Sequence, residues 1–211
     1  MDFNISNFLR ELSIIFVPFM FAVTIHEFSH GYSAYLLGDD TAQKAGRLTL
    51  NPFAHIDIFG LLFLLITRLF GWAKPVPVDF RKVANKKYGM AMVAIAGPCA
   101  NFITAILSAV LYRILLQLGF SHEITYKIFE AIAYMLYYSV YINVALGIFN
   151  LIPILPLDGG RVLMNFLPMD KAISFSRTER YGFLLILLLV ITNMVDLLII
   201  PIIQTFIRIL I

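Results

Sequence analysis

Thr24-Ile25-His26-Glu27-Phe28-Ser29-His30-Gly31 is the polar interruption in a run from Phe8 to Leu37 that is otherwise almost wholly apolar after Arg10-Glu11. Residues four apart lie on one face of a helix, a turn above each other. His26 and His30 can therefore offer two imidazole nitrogens to one metal ion, with Glu27 beside them. This is an H-E-x-x-H pattern, in which two histidines bind zinc and the carboxylate acts as general base. Ionisable side chains inside a membrane segment cost a few kcal/mol each, so they point to a functional site. A hydrogen-bonded cluster joining helices is the plainer alternative, but such a contact has little need for this triplet of residue types.

The surrounding chain has the composition of a membrane protein. Its 211 residues are 60% hydrophobic and only 14% charged, with a mean hydropathy of +0.86. Soluble domains carry nearer a quarter charged residues. Phe, Leu and Ile are spread over the whole length, which predicts an all-α polytopic membrane protein in one domain over residues 1–211, with about five to six apolar segments. No basic n-region precedes the first apolar run and no small-residue cleavage site follows it, so the first helix is expected to serve as its own insertion signal. One cysteine, Cys99, excludes an internal disulfide framework and a Cys-based zinc site. The net charge of +3 resides mostly in loop Lys and Arg, which speaks for topology and against nucleic-acid binding.

Working outward, a helix is expected over 7–37, kinked by Pro18 and ended by Gly38. Residues 46–52 alternate and then break at Pro52, which predicts a short strand or hairpin. The apolar piece 59–70 is short for a span. Two prolines in Lys74-Pro75-Val76-Pro77-Val78 favour an extended edge. Extended backbone at membrane depth must be buried in protein or line a wet cavity, so the two stretches are expected to pair as a small β element around the site. Further helices are predicted over 88–118, kinked at Gly97-Pro98, and over 131–152, separated by a polar loop at 119–130. A last span is predicted over 181–200, followed by a short apolar tail.

Lys74, Arg81, Lys82, Lys86 and Lys87 precede the 88–118 helix, and Lys171, Arg177 and Arg180 follow the 131–152 helix, whereas Lys127 alone lies between them. Positive loops face the cytoplasm. The N-terminus would then lie outside. His30, eight residues before Gly38, would lie about 12 Å from the cytoplasmic end of its helix at 1.5 Å per residue.

A catalytic zinc usually has three protein ligands and an open position. His122 falls in the loop on the opposite side. His55 is a candidate, and Asp158 a stronger one, because it follows a proline-rich break on the same side as the histidine pair. Taken alone, Asp158 could equally cap its helix. Asn150 could close the proline-rich turn through a backbone hydrogen bond, and Asn101 could orient a ligand or satisfy neighbouring backbone.

The chain resembles the site-2 protease family of intramembrane zinc metalloproteases, in a short form without a PDZ or other regulatory domain. His26-Glu27-Phe28-Ser29-His30 and the distant Asn150-Leu151-Ile152-Pro153-Ile154-Leu155-Pro156-Leu157-Asp158-Gly159 carry the resemblance. Gly71-Trp72-Ala73-Lys74-Pro75-Val76-Pro77 and Ala96-Gly97-Pro98-Cys99-Ala100-Asn101 extend it over about residues 20–165. The resemblance implies that His26, His30 and Asp158 bind one catalytic Zn2+ and that Glu27 is the general base. Asn150 would contact the substrate or the developing oxyanion. It also implies cleavage of a peptide bond in or near a membrane-spanning segment of another protein, in regulated proteolysis or clearance of signal-peptide remnants. The expected setting is a bacterial-type plasma (inner) membrane, with the site nearer the cytoplasmic face. The expected partners are the substrate, the lipid bilayer and a regulatory membrane protein. An unwound substrate is expected to add as a strand to the Pro75–Val78 stretch. The rival readings are a metal transporter, which has no use for Glu27 and would need further ligands across the membrane, and a catalytically silent metal-binding scaffold, against which the intact His, Glu, His and Asp set speaks.

Overall fold

The computed structural model describes residues 5–60, 62, 73–83, 88–118 and 123–211, with the side chains of all but 5–12 and 123–125. Among the described residues, three helices are long and apolar enough to cross a membrane. The first, α1 (Ile5–Leu36), contains Pro18 without a break and ends in a left-handed cap. Gly38 takes φ +100°, its N–H donates to Tyr35 O (3.0 Å), and the Asp39 N–H donates to Ala34 O (2.9 Å). This pairing of a positive-φ glycine with two backward hydrogen bonds satisfies carbonyls that the helix end would otherwise orphan. The chain then makes a short α2 (Thr41–Lys44) and a 3-10 turn at Pro52–His55, which Asn51 caps by accepting the Phe53 N–H (3.1 Å).

Residues 73–79 run extended as a strap into α3 (Phe80–Val83). Among the described residues there is no strand, so the expected β element is corrected. Gly46 turns the chain at φ +65° and Asn51 starts the 3-10 turn, so 46–52 never extends far enough to pair. Pro75 and Pro77 carry no N–H with which to build a ladder. The two stretches do meet, through Lys74 N–H to His55 O (3.0 Å) and the Arg47 guanidinium to Lys74 O (2.8 Å). Most of the predicted piece at 59–70 lies outside the described residues, as does His122.

The second and third long helices are α4 (Gly89–Gln117) and α5 (Glu123–Asn150). The polar loop predicted over 119–130 gives way to helix from Glu123 onward. Glu123 and Lys127 stand four apart in the favourable order, and Tyr126, Ile128 and Phe129 continue an apolar sequence. Small residues let α4 and α5 approach. Ala105 and Ala109 pack against Val140 and Val144, and a Cβ on Gly147 would sit 3.1 Å from the Phe102 ring. Lipid supplies no hydrophobic drive between helices, so close packing of this kind holds them.

After α5 come α6 (Asp158–Phe166), α7 (Met169–Ser176), α8 (Glu179–Ile191), a π-helical turn (Val195–Ile199) and α9 (Ile200–Leu210). The last predicted span is therefore broken. Asn193 takes φ 56°, and the two halves bend by 76°. Asn is one of the few non-glycine residues that accept this left-handed backbone. The predicted apolar tail is a helix with Pro201 in its first turn, and its Ile203 closes the Ala105–Val144 cluster. Among the described residues three single helices are long and apolar enough to span a membrane, or four if the bent pair counts as one; of the five to six apolar segments expected, the 59–70 piece lies mostly outside them.

Candidate metal centre

His26 and His30 project from α1 onto α4 at the point where α4 has no side chain. A Cβ on Gly97 would lie 2.5 Å from His30 Nε2 and 2.7 Å from His26 Cε1, so only glycine leaves room for the two rings. Asp158 reaches the same point from the start of α6. It is the first residue of that helix and does not cap it: Leu157 occupies the cap position, and no side-chain hydrogen bond forms there. The glycine after it permits the approach, because a Cβ on Gly159 would meet Leu151 O at 2.2 Å.

The three ligand atoms form a nearly equilateral triangle. His26 Nε2 to His30 Nε2 is 3.0 Å, His26 Nε2 to Asp158 Oδ2 is 3.1 Å, and His30 Nε2 to Asp158 Oδ2 is 3.3 Å. Ligand atoms of a tetrahedral zinc with bonds of ~2.0–2.1 Å are about 3.3–3.4 Å apart. The protons of both rings are committed elsewhere. His26 Nδ1 donates to Asn101 Oδ1 (2.6 Å) and His30 Nδ1 to the Val93 carbonyl (2.8 Å). In the neutral imidazoles each Nε2 is then a lone pair. Two lone pairs and a carboxylate oxygen converge with no donor among them, and Asp158 Oδ2 is buried without a hydrogen-bond partner. A cation fits this donor set. Among the described residues, these three form the one group of His, Cys, Asp or Glu side chains close enough to share a metal ion.

Glu27 is held differently. Its Oε2 accepts the backbone N–H of Val76 (2.8 Å), so the strap fixes one carboxylate oxygen. The Val76 side chain is buried against Gly31, where an added Cβ would lie 2.9 Å from Val76 Cγ1. Beyond Val76, the Asp79 N–H donates to Asp39 Oδ2 (2.7 Å), and Lys82 reaches Asp39 (3.2 Å) and Asp40 (2.8 Å). Burial opposes ionisation of Asp39. The Thr41 hydroxyl and N–H, the Asp79 N–H and Lys82 outweigh it and hold its pKa below the ordinary carboxylate value. Lys44 and Lys82 pull Asp40 down to about 2, and hydrogen bonds to Asp40 lead the causes that raise Lys82. This ionic knot ties the strap to the end of α1.

The N–H groups of Lys74 and Val76 point inward to His55 and Glu27, and Pro75 and Pro77 have none. Of the two N–H groups in the Pro75–Val78 stretch, that of Val76 is held by Glu27. The buried His55 is not part of the metal triangle, and its Nε2 donates to Thr49 O (2.9 Å). Asn150 gives an N–H to Leu146 O (3.0 Å) within its own helix. Asn101 does both things open to it, accepting from His26 and donating to Ala22 O (3.1 Å). Sequence reading missed the Val93 carbonyl, the Val76 N–H and Asn143. Backbone groups leave no residue signature, but a lone Asn amid apolar residues at membrane depth is a usable one.

The family model for peptidase family M50 matches residues 14–192. The chain is 34% identical over 184 residues to "Putative zinc metalloprotease YwhC" of Bacillus subtilis (strain 168), covering 87% of this chain and 83% of that protein. It is 27% identical over 192 residues to "Putative zinc metalloprotease Rip2" of Mycolicibacterium smegmatis, covering 88% of this chain and 70% of that protein. A zinc metalloprotease of Methanocaldococcus jannaschii is 25% identical over 172 residues, which make up 82% of this chain and 37% of the archaeal one. No solved structure matches.

Proposed function

The chain belongs to peptidase family M50, a family of zinc metalloproteases, and on that premise we propose that it hydrolyses a peptide bond in or next to a membrane-spanning segment of another protein. The observation that carries this reading is the triangle of His26 Nε2, His30 Nε2 and Asp158 Oδ2, with Glu27 adjoining it on the same helix. In the proposal these three residues would hold the catalytic Zn2+, which when bound would lower the pKa of a water to about 7 and polarise a carbonyl. Glu27, steadied by the Val76 N–H, takes the proton from that water and passes it to the leaving amine.

A substrate at this depth must be apolar. Met20 and Thr24 of α1, with Leu50 and Phe53 opposite, help to line an apolar cleft of about 270 Å³ beginning one turn before Glu27. The substrate must also unwind there, since a helical amide is shielded by its own hydrogen bonds. Asn150 donates one N–H to Leu146, and its amide carries a second donor for the substrate or oxyanion. The positive-loop pattern supports a site nearer the cytoplasmic face, and the membrane of the proposal is a bacterial-type plasma membrane.

Zinc content and cleavage of a generic transmembrane reporter, compared for wild type and Glu27→Gln in detergent, test this reading. About one zinc in each protein, with cleavage by wild type alone, is the expected result. Equal cleavage by both removes Glu27 as the base. Zinc in both with cleavage by neither favours the metal-binding scaffold.

A further inference from the structure

A chain of buried polar groups starts at His26 and runs away from the metal centre into the interface of α4 and α5. Asn101 Nδ2 donates to Asn143 Oδ1 (2.8 Å), Asn143 Nδ2 donates to Ser139 O (2.8 Å), and the Ser139 and Ser108 hydroxyls meet at 2.8 Å. Asn101 and Asn143 have no exposed surface, and the two serines are 7% exposed. We infer that Asn143 is a positioning residue for the metal centre: through Asn101, and together with the Ala22 carbonyl, it sets the direction of this relay and holds His26 in the tautomer whose Nε2 faces the metal.

The direction follows from two backbone carbonyls that cannot reverse, Ser139 O on Asn143 and Ala22 O on Asn101. The Ser139 carbonyl can only accept, so the Asn143 atom facing it is the NH2. The Asn143 oxygen must then face Asn101, and the Asn101 atom facing that oxygen must be its NH2. The contact of the same NH2 with Ala22 O agrees. Asn101 is left presenting its oxygen to His26 Nδ1, which must therefore carry the proton. A partner on the far ring nitrogen commonly fixes tautomer and orientation of a metal-binding histidine. Here it extends across two helices to α5, the helix whose C-terminal end leads to Asp158. The relay thus joins the two stretches of chain that supply ligands. Polar side chains between membrane helices can also serve only to hold the helices together, and the test must separate the two roles.

This inference rests on the site being a metal centre, and the experiment is zinc affinity by chelator competition on the full chain in detergent. Wild type, Asn143→Leu, Asn101→Leu and the double variant are compared, with thermal stability measured alongside. Loss of the direct partner in Asn101→Leu is expected to weaken zinc binding about 10- to 100-fold, and Asn143→Leu about 10-fold. In the Asn101→Leu background, adding Asn143→Leu should leave zinc affinity unchanged, while thermal stability falls in both backgrounds. An Asn143→Leu protein that binds zinc as wild type does, or one that loses the same factor in both backgrounds, overturns the inference and leaves a helix-joining contact. Wild type that binds no zinc overturns the metal-centre reading itself. If the variants do not fold, wild type loaded with 113Cd and 15N-histidine decides. Cadmium coupling at His26 Nε2 with a protonated Nδ1 is expected, and metal at Nδ1 overturns the inference.

Discussion

Two neighbouring residues of α1, His26 and Glu27, are supported by two regions built on opposite principles. The ligand region is the helical core, where α1, α4 and α5 meet and polar side chains pair with one another out of contact with solvent. The region of the proposed base is the strap at 73–83, where a backbone N–H holds the carboxylate and a knot of charges around the buried Asp39 holds the backbone. Metal binding and base positioning should therefore fail separately. Damage in the core should cost zinc, and damage in the strap should cost turnover per zinc.

The largest effects should come from breaking the triangle. His26→Ala or Asp158→Ala is expected to remove stoichiometric zinc, as metal analysis of the purified protein would show. One ligand lost from a site of three leaves too few to hold the ion. Glu27→Gln should keep zinc and lose about 10²–10⁴-fold in cleavage rate, the range for removal of a general base. If it lost zinc as well, the two regions would not be separable. Gly97→Ala should come next. Its Cβ would fall 2.5 Å from His30 Nε2, within the backbone of a well-packed helix, so zinc affinity should drop while the helix content seen by circular dichroism is kept.

How much of this was legible in the sequence differs between the two regions. Helical spacing was enough to bring His26, Glu27 and His30 together, whereas Asp158, which alone could equally have capped its helix, was singled out by the Asn150–Gly159 motif that carries the resemblance. The α1 cap was also readable from Gly38. The β element was misread because alternation in 46–52 and prolines in 75–77 describe extended backbone, and extended backbone pairs only if donors remain. The last span was read as continuous because Leu-rich residues hide the bend at the left-handed Asn193. The support for Glu27 was invisible for a further reason: a backbone N–H belongs to every residue but proline, so no residue type announces it.

Smaller effects should come from the knot. Lys82→Met removes the cation shared by Asp39 and Asp40 and should lower cleavage per zinc a few-fold without changing zinc content. Its pH dependence follows from the lowered carboxyl pKa values. Asp39 and Asp40 are easier to ionise in the fold than free, so their contribution is present above the ordinary value of about 3.9 and fades as pH falls toward 2. The raised Lys82 contributes below its ordinary value of about 10.4 and loses that contribution as pH climbs past it. A carboxyl titration of Asp40 by NMR should have its midpoint near 2. A midpoint at the ordinary value would mean that the knot is open in solution.

The most direct measurement is cleavage per bound zinc for Val76→Pro, which deletes the one N–H seen on Glu27, beside Asn101→Leu, which deletes the partner of His26. The account predicts that Val76→Pro holds zinc as wild type does and turns over slowly, whereas Asn101→Leu loses zinc but cleaves normally for each zinc it retains. If Val76→Pro sheds zinc, or cleaves at the wild-type rate per zinc, the division between core and strap is wrong.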